Sequence, residues 1–541
     1  MLAPPQPAAH PTRAVARSAK GMIASPHPLA TVAGRDVLRR GGNAVDAAIA
    51  VNAVLSVVYP AMCGLGGDAF WMVYEPKTGE TVCYNGSGRA ARKLHAEQLR
   101  ATGLSEMPVR GALTVTVPGA VRSWEDVGRA HGTRGLDELL VDAEAYARDG
   151  YVVTGVLEKY FALNEAILAH DPDATALFFD HHGGVPRAGT LLRNPGLAEV
   201  IAQIRKGGAE AFYNGPAAPA IVAKLWTGGN PMEIEDLTSH RTQGTRPWRL
   251  PWGDGEVLAH PPNSQGATAQ VVLGALAGDA PQDEAAWAHL AIEAFKHAFG
   301  IRDTRFGDPD IVSIREDDVI APELLAGVRR SIDPDRVTAR FGGPDRGDTV
   351  AIVAVDSEGR AVSLIESLFM NFGSGLVAGE TGIVLQNRGA YFNLIHGHPN
   401  ELQGGRRPVH TLSPAMYLRG QKPELVYGAM GGDGQPQIHV QLLHNVYERE
   451  MPLQQAIDAP RWVAGRPHIP GHDDMMTQVV VAESRLPEET VAGLERRGHR
   501  VTRVEEFDSA VGHAHMIRVD QKSGTLAGAA DPRADSVALG I

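Results

Sequence analysis

The stretch from residue 346 to residue 356 constrains this chain more than any other part of it. It reads RGDTVAIVAVD, a small and bendable lead-in followed by a threonine and a β-branched run. Because β-branched residues favour strands, the run predicts a strand that begins near Thr349. If the peptide bond before Thr349 were cut, that residue would carry a hydroxyl nucleophile and a free α-amine to serve as its base. The structural alternative is a threonine that begins a strand through β-propensity alone.

Composition limits the class of protein. Of the 541 residues, 43% are hydrophobic and 21% are charged, as in ordinary globular proteins. The net charge of −12, with no basic stripe, argues against a nucleic-acid partner or an anionic membrane partner. Residues 1–20 lack the apolar segment of a secretion signal, and no run reaches the length of a membrane span. We therefore expect a flexible leader over 1–20 and a cytoplasmic protein.

Local patterns predict a mixture of helices and strands. Asn43 is a credible cap for an apolar helix over 44–58, and Pro60 ends that helix. Further helices are predicted over 120–129, 284–299, 436–447 and 487–497, and over most of 137–205. Strands are predicted over 69–74, 81–84, 113–117, 350–355, 361–368, 425–430, 478–482 and 515–519. Because strands come in hairpins and helices in pairs, we expect a layered α/β sandwich with largely antiparallel sheets.

Two further features could take part in catalysis. Gly431 and Gly432 lie between a predicted strand and a predicted helix, where two backbone N–H groups could hold a developing oxyanion. The alternative is a tight turn that needs positive φ. Arg388 follows an apolar segment and could bind a substrate carboxylate through two parallel hydrogen bonds. Its alternative is a solvated arginine at a strand end.

The sequence gives little support for metal or nucleotide sites. His396 with His398, and His513 with His515, are possible metal ligands, but neither pair has a neighbouring cysteine or a His-Glu-x-x-His helix. Ordinary surface or core histidines are the default interpretation. The glycine-rich stretch 64–67 lies between a helix and a strand, and no Lys-Ser or Lys-Thr follows it. We therefore expect no metal and no nucleotide cofactor.

A set of different short motifs occurs in a fixed order along the chain. They are GGNAVDAA at 41–48, GLGGD at 64–68, PPNSQG at 261–266, DT at 348–349, FGSG at 372–375, GETGI at 379–383, SP at 413–414, GG at 431–432 and APR at 459–461. In this order they resemble the γ-glutamyltranspeptidase family of N-terminal-nucleophile hydrolases. The similarity runs from residue 21 to residue 533, which is nearly the whole chain.

The resemblance implies a fold and a maturation step. Members of the family are four-layer αββα sandwiches made as a precursor that cuts itself before the nucleophilic threonine. Here that bond is Asp348–Thr349, so a large subunit would span 21–348 and a small subunit 349–541. The two fragments would remain together as a heterodimer, and two such heterodimers could associate. No metal or organic cofactor is implied, because the protein supplies nucleophile, base and oxyanion donors.

The resemblance also implies roles for individual residues. Thr349 attacks the substrate carbonyl, its α-amine handles the proton, and the amides of Gly431 and Gly432 hold the oxyanion. Ser367 falls where the family has a second hydroxyl residue that supports the nucleophile. Water, or an amine acceptor in transpeptidation, would release the acyl group from Thr349.

The chain departs from the family in the pocket that reads a γ-glutamyl group. Positions that are polar in typical members, and that hold the donor's α-amine and α-carboxylate, are here Phe369, Arg388, Tyr391, His410 and Thr411. The stretch 85–88 occupies the place of a large-subunit arginine, with Arg89 and Arg92 nearby. A cation beside an ammonium is repulsive and lowers affinity. We therefore expect a donor that keeps a carboxylate, bound by Arg388 with help from His410, but lacks a free α-amine.

These observations predict a self-processing N-terminal-threonine amidohydrolase that acts on a small carboxylate-bearing amide. Three substrate classes stay open: γ-glutamyl hydrolysis or transfer, cephalosporin-type (glutaryl) deacylation, and oxamate-type hydrolysis. A rival from another class is an uncut, non-catalytic scaffold. A metal-dependent hydrolase built on the histidine pairs is a weaker rival.

Overall fold

The computed structural model describes residues 12–278, 281, 283–338, 348–465 and 479–541. Part of the predicted leader (residues 1–11), the lead-in to the proposed cut (339–347) and the first residue of the strand predicted over 478–482 lie outside the described residues. Within the described ranges, no helix is long and apolar enough to span a membrane.

Strands occur along the whole described chain. They are β1 (Ala16–Ser18), β2 (Met22–Ser25), β3 (Asp68–Glu75), β4 (Glu80–Gly86), β5 (Tyr151–Val152), β6 (Leu191–Leu192), β7 (Gln243–Thr245), β8 (Trp248–Trp252), β9 (Gly255–Ala259), β10 (Asp348–Val355), β11 (Ala361–Phe369), β12 (Ala415–Arg419), β13 (Lys422–Met430), β14 (Trp462–Gly465), β15 (Val479–Glu483), β16 (Val501–Val504), β17 (His513–Val519), β18 (Leu526–Ala530) and β19 (Val537–Gly540).

Helices are concentrated in the first two thirds of the chain. They are α1 (Pro28–Arg39), α2 (Ala44–Val58), α3 (Ala96–Ala101), α4 (Ala120–His131), α5 (Leu136–Leu139), α6 (Val141–Asp149), α7 (Gly155–Leu168), α8 (Pro172–Phe178), α9 (Pro195–Gly207), α10 (Glu210–Tyr213), α11 (Ala217–Thr227), α12 (Ile234–Thr238), α13 (Ala267–Ala275), α14 (Glu284–Arg305), α15 (Asp317–Ile320), α16 (Pro322–Ser331), α17 (Gly434–Leu443), α18 (Leu453–Asp458) and α19 (Glu488–Arg496).

Two seven-stranded antiparallel sheets form the centre of the described structure. The first sheet has the order β1-β18-β17-β13-β12-β9-β8, and the second has the order β19-β2-β10-β11-β3-β4-β7. Each sheet takes strands from both sides of residue 349. The strands β14, β15 and β16 form a smaller sheet, in which β15 and β16 run parallel.

Alternation along the strands separates the core into layers. In β10, Val350 and Ile352 join a core with α1, α2 and α4, while Val353 and Val355 pack between the two sheets. Residues on the outer face of the first sheet, such as Tyr427, pack with α13, α14 and α17. Because successive strand residues point to opposite faces, each sheet has one helix-covered face and one sheet-covered face. The predicted four-layer αββα architecture is confirmed.

The helix predicted over 44–58 is confirmed as α2 with the predicted cap. The Asn43 side chain accepts hydrogen bonds from the backbone N–H groups of Val45 and Asp46, and the Asp46 carboxylate accepts one from the N–H of Asn43. This reciprocal pair is a capping box. Every residue of α2 is buried, as expected for a helix that is apolar on nearly all sides.

Two expectations do not hold. Residues 113–117 form no strand: Ala112–Thr114 is a short 3-10 turn, and the Asn230 side chain bonds the carbonyls of Ala112 and Val115. A side chain thus takes the place of a neighbouring strand. The prediction of a flexible leader also fails for Ala16–Ser18, which pairs with β18 as the edge strand β1.

Candidate active site

The proposed nucleophile lies at an irregularity of the second sheet. The ladder between β10 and β11 pairs Asp348 with Phe369 and then Val350 with Glu366, with a shift of register between the two pairs. Thr349 therefore lies at a β-bulge, a feature that often redirects a side chain beside an active site. Thr349 is fully buried.

Ser367 lies on the strand opposite this bulge. It stands between the paired residues Glu366 and Phe369, and it is fully buried. The Ser367 hydroxyl accepts a hydrogen bond from the backbone N–H of Phe369 at 2.6 Å. Strand register alone thus brings the predicted supporting hydroxyl to the partner segment of Thr349.

A glutamine contacts the threonine hydroxyl directly. The Nε2 atom of Gln435 donates to Oγ1 of Thr349 at 3.2 Å, and Oε1 of Gln435 accepts from the N–H of Ser413 at 3.1 Å. Because a backbone N–H can only donate, it fixes which end of the amide faces Thr349. Gln435 is fully buried in the first turn of α17.

The predicted oxyanion loop connects β13 to α17. Gly431 and Gly432 adopt φ values of +145° and +53°, which favour glycine. Their carbonyls accept hydrogen bonds from Gly434 N–H and Gln435 N–H at 2.6 Å and 3.1 Å. Among the described residues no acceptor is found for the N–H groups of Gly431 and Gly432. Two unused donors thus lie beside the residue that contacts Thr349.

A buried ion pair joins this loop to α14. Nη1 of Arg302, at the end of α14, donates to Oδ1 of Asp433 at 2.6 Å, and the Tyr391 hydroxyl donates to the same carboxylate at 2.9 Å. Burial lowers the pKa of Arg302, but the carboxylates of Asp303 and Asp433 more than offset this effect and keep the guanidinium charged. Tyr391, predicted to bind substrate, is therefore joined to the oxyanion loop.

Arg388 is buried completely, which excludes the solvated alternative. Its Nη1 atom donates to the Thr411 hydroxyl at 2.9 Å, and its guanidinium carbon lies 4.1 Å from the centre of the Phe369 ring. Among the described residues, its Nε and Nη2 atoms have no acceptor. These two atoms form one edge of the guanidinium, with the geometry that grips a carboxylate. Burial lowers the pKa of Arg388 to about 9, opposed by the charge of Asp68.

His410 pairs with an acidic side chain from the first half of the chain. Its Nε2 atom lies 3.2 Å from Oδ2 of Asp68, and its Nδ1 atom accepts from the N–H of Leu412 at 3.4 Å. Burial, together with the charge of Arg388, holds the pKa of His410 well below its usual range. Burial also raises the pKa of Asp68 to about 7, although Arg388 opposes the rise. With partners on both ring nitrogens, His410 is less available to a substrate than Arg388.

The stretch 85–88 is tied into a closed network. Asn85 donates to Oδ1 of Asn263 at 2.7 Å, and Asn263 donates to the Ser87 hydroxyl at 3.2 Å. Ser87 in turn donates to Oδ1 of Asn85 at 2.6 Å. These side chains satisfy one another and supply no cation at the place of the family's large-subunit arginine.

One group of side chains in the described part of the chain has ligand atoms close enough for a metal: His289, Glu293 and His499. Nδ1 of His289 and Nε2 of His499 are hydrogen bonded at 2.7 Å. The Glu293 carboxylate already accepts from Lys296 and Thr338. A dication would have to displace an ammonium, so we interpret the group as a hydrogen-bonded clamp. The predicted histidine pairs, at 396/398 and 513/515, take no part in such a group among the described residues.

Comparison with known proteins identifies the family. The sequence model of the gamma-glutamyltranspeptidase family matches residues 30–541. The chain belongs to the gamma-glutamyltranspeptidase family. Family members among its relatives include the glutathione hydrolase-like YwrD proenzyme of Bacillus subtilis, 38% identical over 96% of this chain and 98% of the relative. The oxamate amidohydrolase proenzyme of Klebsiella pneumoniae is 36% identical over 97% of this chain and 99% of the relative.

Solved structures agree with this assignment. The cephalosporin acylase from Bacillus halodurans superimposes with a TM-score of 0.90 at 34% identity, covering 99% of each chain. The resemblance stated from the motifs is therefore confirmed, and so is the αββα fold of N-terminal-nucleophile hydrolases. This chain is therefore an enzyme of the amidohydrolase and acylase type.

Sequence reasoning missed three residues that the structure brings to this site: Gln435, Asp433 and Arg302. The first two follow the predicted oxyanion glycines within the next three positions, so the first helical turn carried a usable signal. Arg302 carried none, because its partner Asp433 is 131 residues away.

Proposed function

We propose that this gamma-glutamyltranspeptidase-family chain is a self-processing amidohydrolase with Thr349 as its nucleophile. The contact between Gln435 and the Thr349 hydroxyl carries the proposal, since it joins the threonine to the helix that follows the oxyanion loop. A threonine that merely begins a strand needs neither a buried polar partner for its hydroxyl nor nearby N–H groups without acceptors.

Processing would use the same atoms as turnover. Oγ1 of Thr349 attacks the carbonyl carbon of Asp348, and the C–N bond breaks as the nitrogen takes the hydroxyl proton. The product is an ester between Asp348 and Thr349, which water hydrolyses to a free carboxylate and a free threonine. The fragments are residues 1–348, which contain the large subunit over 21–348, and the small subunit over 349–541, held together as a heterodimer.

The mature site would then carry out acyl transfer. The α-amine of Thr349 accepts the hydroxyl proton as Oγ1 attacks the substrate carbonyl, and the resulting ammonium protonates the leaving amine. The N–H groups of Gly431 and Gly432 stabilise the tetrahedral oxyanion, an effect worth 10²- to 10³-fold in kcat for a single donor. Ser367 supports the nucleophile from the neighbouring strand. Water completes the cycle by attacking the acyl ester.

The pocket favours an acyl group that carries a carboxylate. The free edge of Arg388 matches two carboxylate oxygens, and Phe369 and Thr411 hold the guanidinium in place. The same positive charge repels an α-ammonium group. We therefore assign the donor to small ω-carboxyacyl amides, the class that includes glutaryl amides and oxamate.

Intact-mass measurement of the purified chain under denaturing conditions tests the nucleophile. The wild type should give two fragments of roughly 37 and 20 kDa, the smaller beginning at Thr349. Thr349→Ala should remain one chain and hydrolyse no amide substrate, whereas Thr349→Ser should still be cut. A wild type that stays uncut would favour the non-catalytic scaffold.

A further inference from the structure

Gln435 differs from the other glutamines of its helix. Gln437 uses both ends of its amide on the backbone of Ala464, and Gln441 uses both ends on the backbone of Trp462. These two side chains join α17 to β14. In Gln435 only the carbonyl oxygen bonds the backbone, where it accepts from the N–H of Ser413. Its amide N–H donates to the Thr349 hydroxyl instead.

The contact lies where a hydrogen bond has its largest effect. Both Gln435 and Thr349 are fully buried, so water does not replace a donor that is removed. In low dielectric surroundings a fixed N–H dipole interacts strongly with any negative charge that develops on its acceptor. In the proposed reaction a bond to that acceptor, Oγ1 of Thr349, forms in acylation and breaks in deacylation.

We infer that Gln435 is a catalytic residue whose side-chain N–H holds Oγ1 of Thr349 while bonds to that oxygen form and break. This inference rests on the proposed function. By occupying one lone pair of Oγ1, Gln435 directs the hydroxyl proton away from itself and toward the nitrogen of Thr349. In the mature enzyme that nitrogen is the α-amine, which acts as the base.

The N–H donor has its clearest role in deacylation. Water attacks the acyl ester and gives a proton to the α-amine of Thr349 as its oxygen bonds to the carbonyl carbon, and the bond from that carbon to Oγ1 then breaks. The electron pair of the broken bond moves onto Oγ1, which then takes a proton from the α-ammonium group of Thr349. Gln435 stabilises the charge on the leaving oxygen at that moment, as it does when the processing ester at Asp348 is hydrolysed.

The donors at Gly431 and Gly432 and the donor at Gln435 all lie at the N-terminal end of α17. The oxyanion N–H groups of Gly431 and Gly432 precede α17, and Gln435 lies in its first turn. The donor for the carbonyl oxygen and the donor for the nucleophile therefore keep a constant separation. Such fixed geometry is what electrostatic preorganisation requires.

Gln435→Met tests the inference, with Gln441→Met as the matched control. Both changes remove a buried amide from α17, but only the first removes the donor to Thr349. The rate of self-cleavage, followed by intact mass, should fall about 10- to 100-fold in Gln435→Met. The kcat for glutaryl-p-nitroanilide should fall similarly, with KM little changed. Gln441→Met should lose thermal stability but keep its cleavage rate.

Gln435→Glu supplies a signature that a structural role does not produce. The carboxyl group keeps its bond to Ser413 and donates to Thr349 only when it is protonated. Self-cleavage of this variant should therefore speed up as the pH falls through the pKa of the new carboxyl group. A rate that rises with pH would show the carboxylate acting as a base and would overturn the donor role.

The two proposals fail in different ways. Cleavage rates of Gln435→Met and Gln441→Met that are equal would overturn the role of Gln435 while leaving Thr349 as nucleophile. Cleavage or activity that survives in Thr349→Ala would overturn the proposed function itself. Should Gln435→Met fail to fold, the pH profile of Gln435→Glu still decides between donor and structural roles.

Discussion

Arg388 is a buried cation whose Nε and Nη2 atoms have no acceptor among the described residues. A buried charge is normally paired, because removing it from water is expensive. Stacking on Phe369 and one bond to Thr411 compensate in part, and the pKa lowered to about 9 reflects what remains uncompensated. A substrate carboxylate would complete the set, which is the basis of the role proposed for Arg388.

We predict that Arg388→Met removes the preference for a carboxylate. The kcat/KM for glutaryl-p-nitroanilide should fall about 100-fold, since truncating one partner of a buried charge pair costs 2–5 kcal/mol. The value for butyryl-p-nitroanilide, which lacks the carboxylate, should not fall. Arg388→Lys keeps the charge but loses the two-pronged edge, so it should recover only part of the activity. Wild-type enzyme that turns over γ-glutamyl-p-nitroanilide far better than glutaryl-p-nitroanilide would contradict the assignment.

At the scale of elements, the loop at Gly431 and Gly432 contacts two helices, α14 and α17, that lie on opposite sides of Thr349 in the chain. Arg302 lies in the last turn of α14 and donates to both Asp433 and Oε1 of Gln265. The amide of Gln265 also donates to the carbonyls of Thr411 and Gly432. Arg302 thereby links the end of α14 to the loop before α17. Through Gln265 it also links both to the segment around Thr411, whose hydroxyl accepts from Arg388.

We predict that Arg302→Met destabilises the protein by about 3–5 kcal/mol, because it leaves the Asp433 carboxylate buried without its partner. The denaturant midpoint should fall, and kcat should fall with it as the oxyanion loop loosens. The double variant Arg302→Met/Asp433→Asn should be more stable than Arg302→Met alone, because the buried charge is gone. Equal midpoints for the single and double variants would show that Asp433 carries no charge in the folded protein.

At the scale of the molecule, the two proposed subunits are interleaved. The first sheet contains β8 and β9 from the large segment and β12, β13, β17 and β18 from the small segment. In the second sheet, β10 lies between β2 of the large segment and β11 of the small segment. Cutting before Thr349 separates Asp348 from the rest of β10, but the pairs from Val350 to Val355 stay within the small segment or between it and β2. The heterodimer should therefore stay together until it is denatured.

Buried histidines should make the whole molecule sensitive to acid. Burial lowers the pKa of six of them to about 3 or 4: His27, His260, His439, His499, His513 and His515. In the unfolded chain each titrates near 6.5. Below that pH the unfolded state binds more protons than the folded state. The free energy of unfolding then falls by about 1.4 kcal/mol per pH unit for each histidine.

Two buried carboxyl groups act in the opposite direction. Burial raises the pKa of Glu366 to about 8 and that of Asp68 to about 7, so these groups favour the folded state at low pH and lose that advantage as pH rises. The histidines are more numerous, so the denaturant midpoint should decrease from pH 7 to pH 5. His439→Gln should make this decrease shallower. A midpoint that is constant over this range would contradict the prediction.

Much of the architecture was readable before the structure was known. The strands over 350–355 and 361–368, the helix over 44–58 with its Asn43 cap, and the turn at Gly431 are local features. Each depends on propensity, periodicity or a required φ within a few neighbouring residues. The strand predicted over 113–117 failed because a distant side chain, Asn230, supplied the partner.

The sequence by itself determined the family, the layered fold, and where Thr349, Gly431 and Gly432 lie in their strand and loop. Only the tertiary structure decided which side chains meet there. Gln435 donates to the threonine hydroxyl, Arg302 pairs with Asp433, and Arg388 is buried with no acceptor for Nε and Nη2 among the described residues. The reason is physical. Strand and turn preferences act between near neighbours in the chain, whereas a hydrogen bond or ion pair depends on atoms that packing brings together from distant segments.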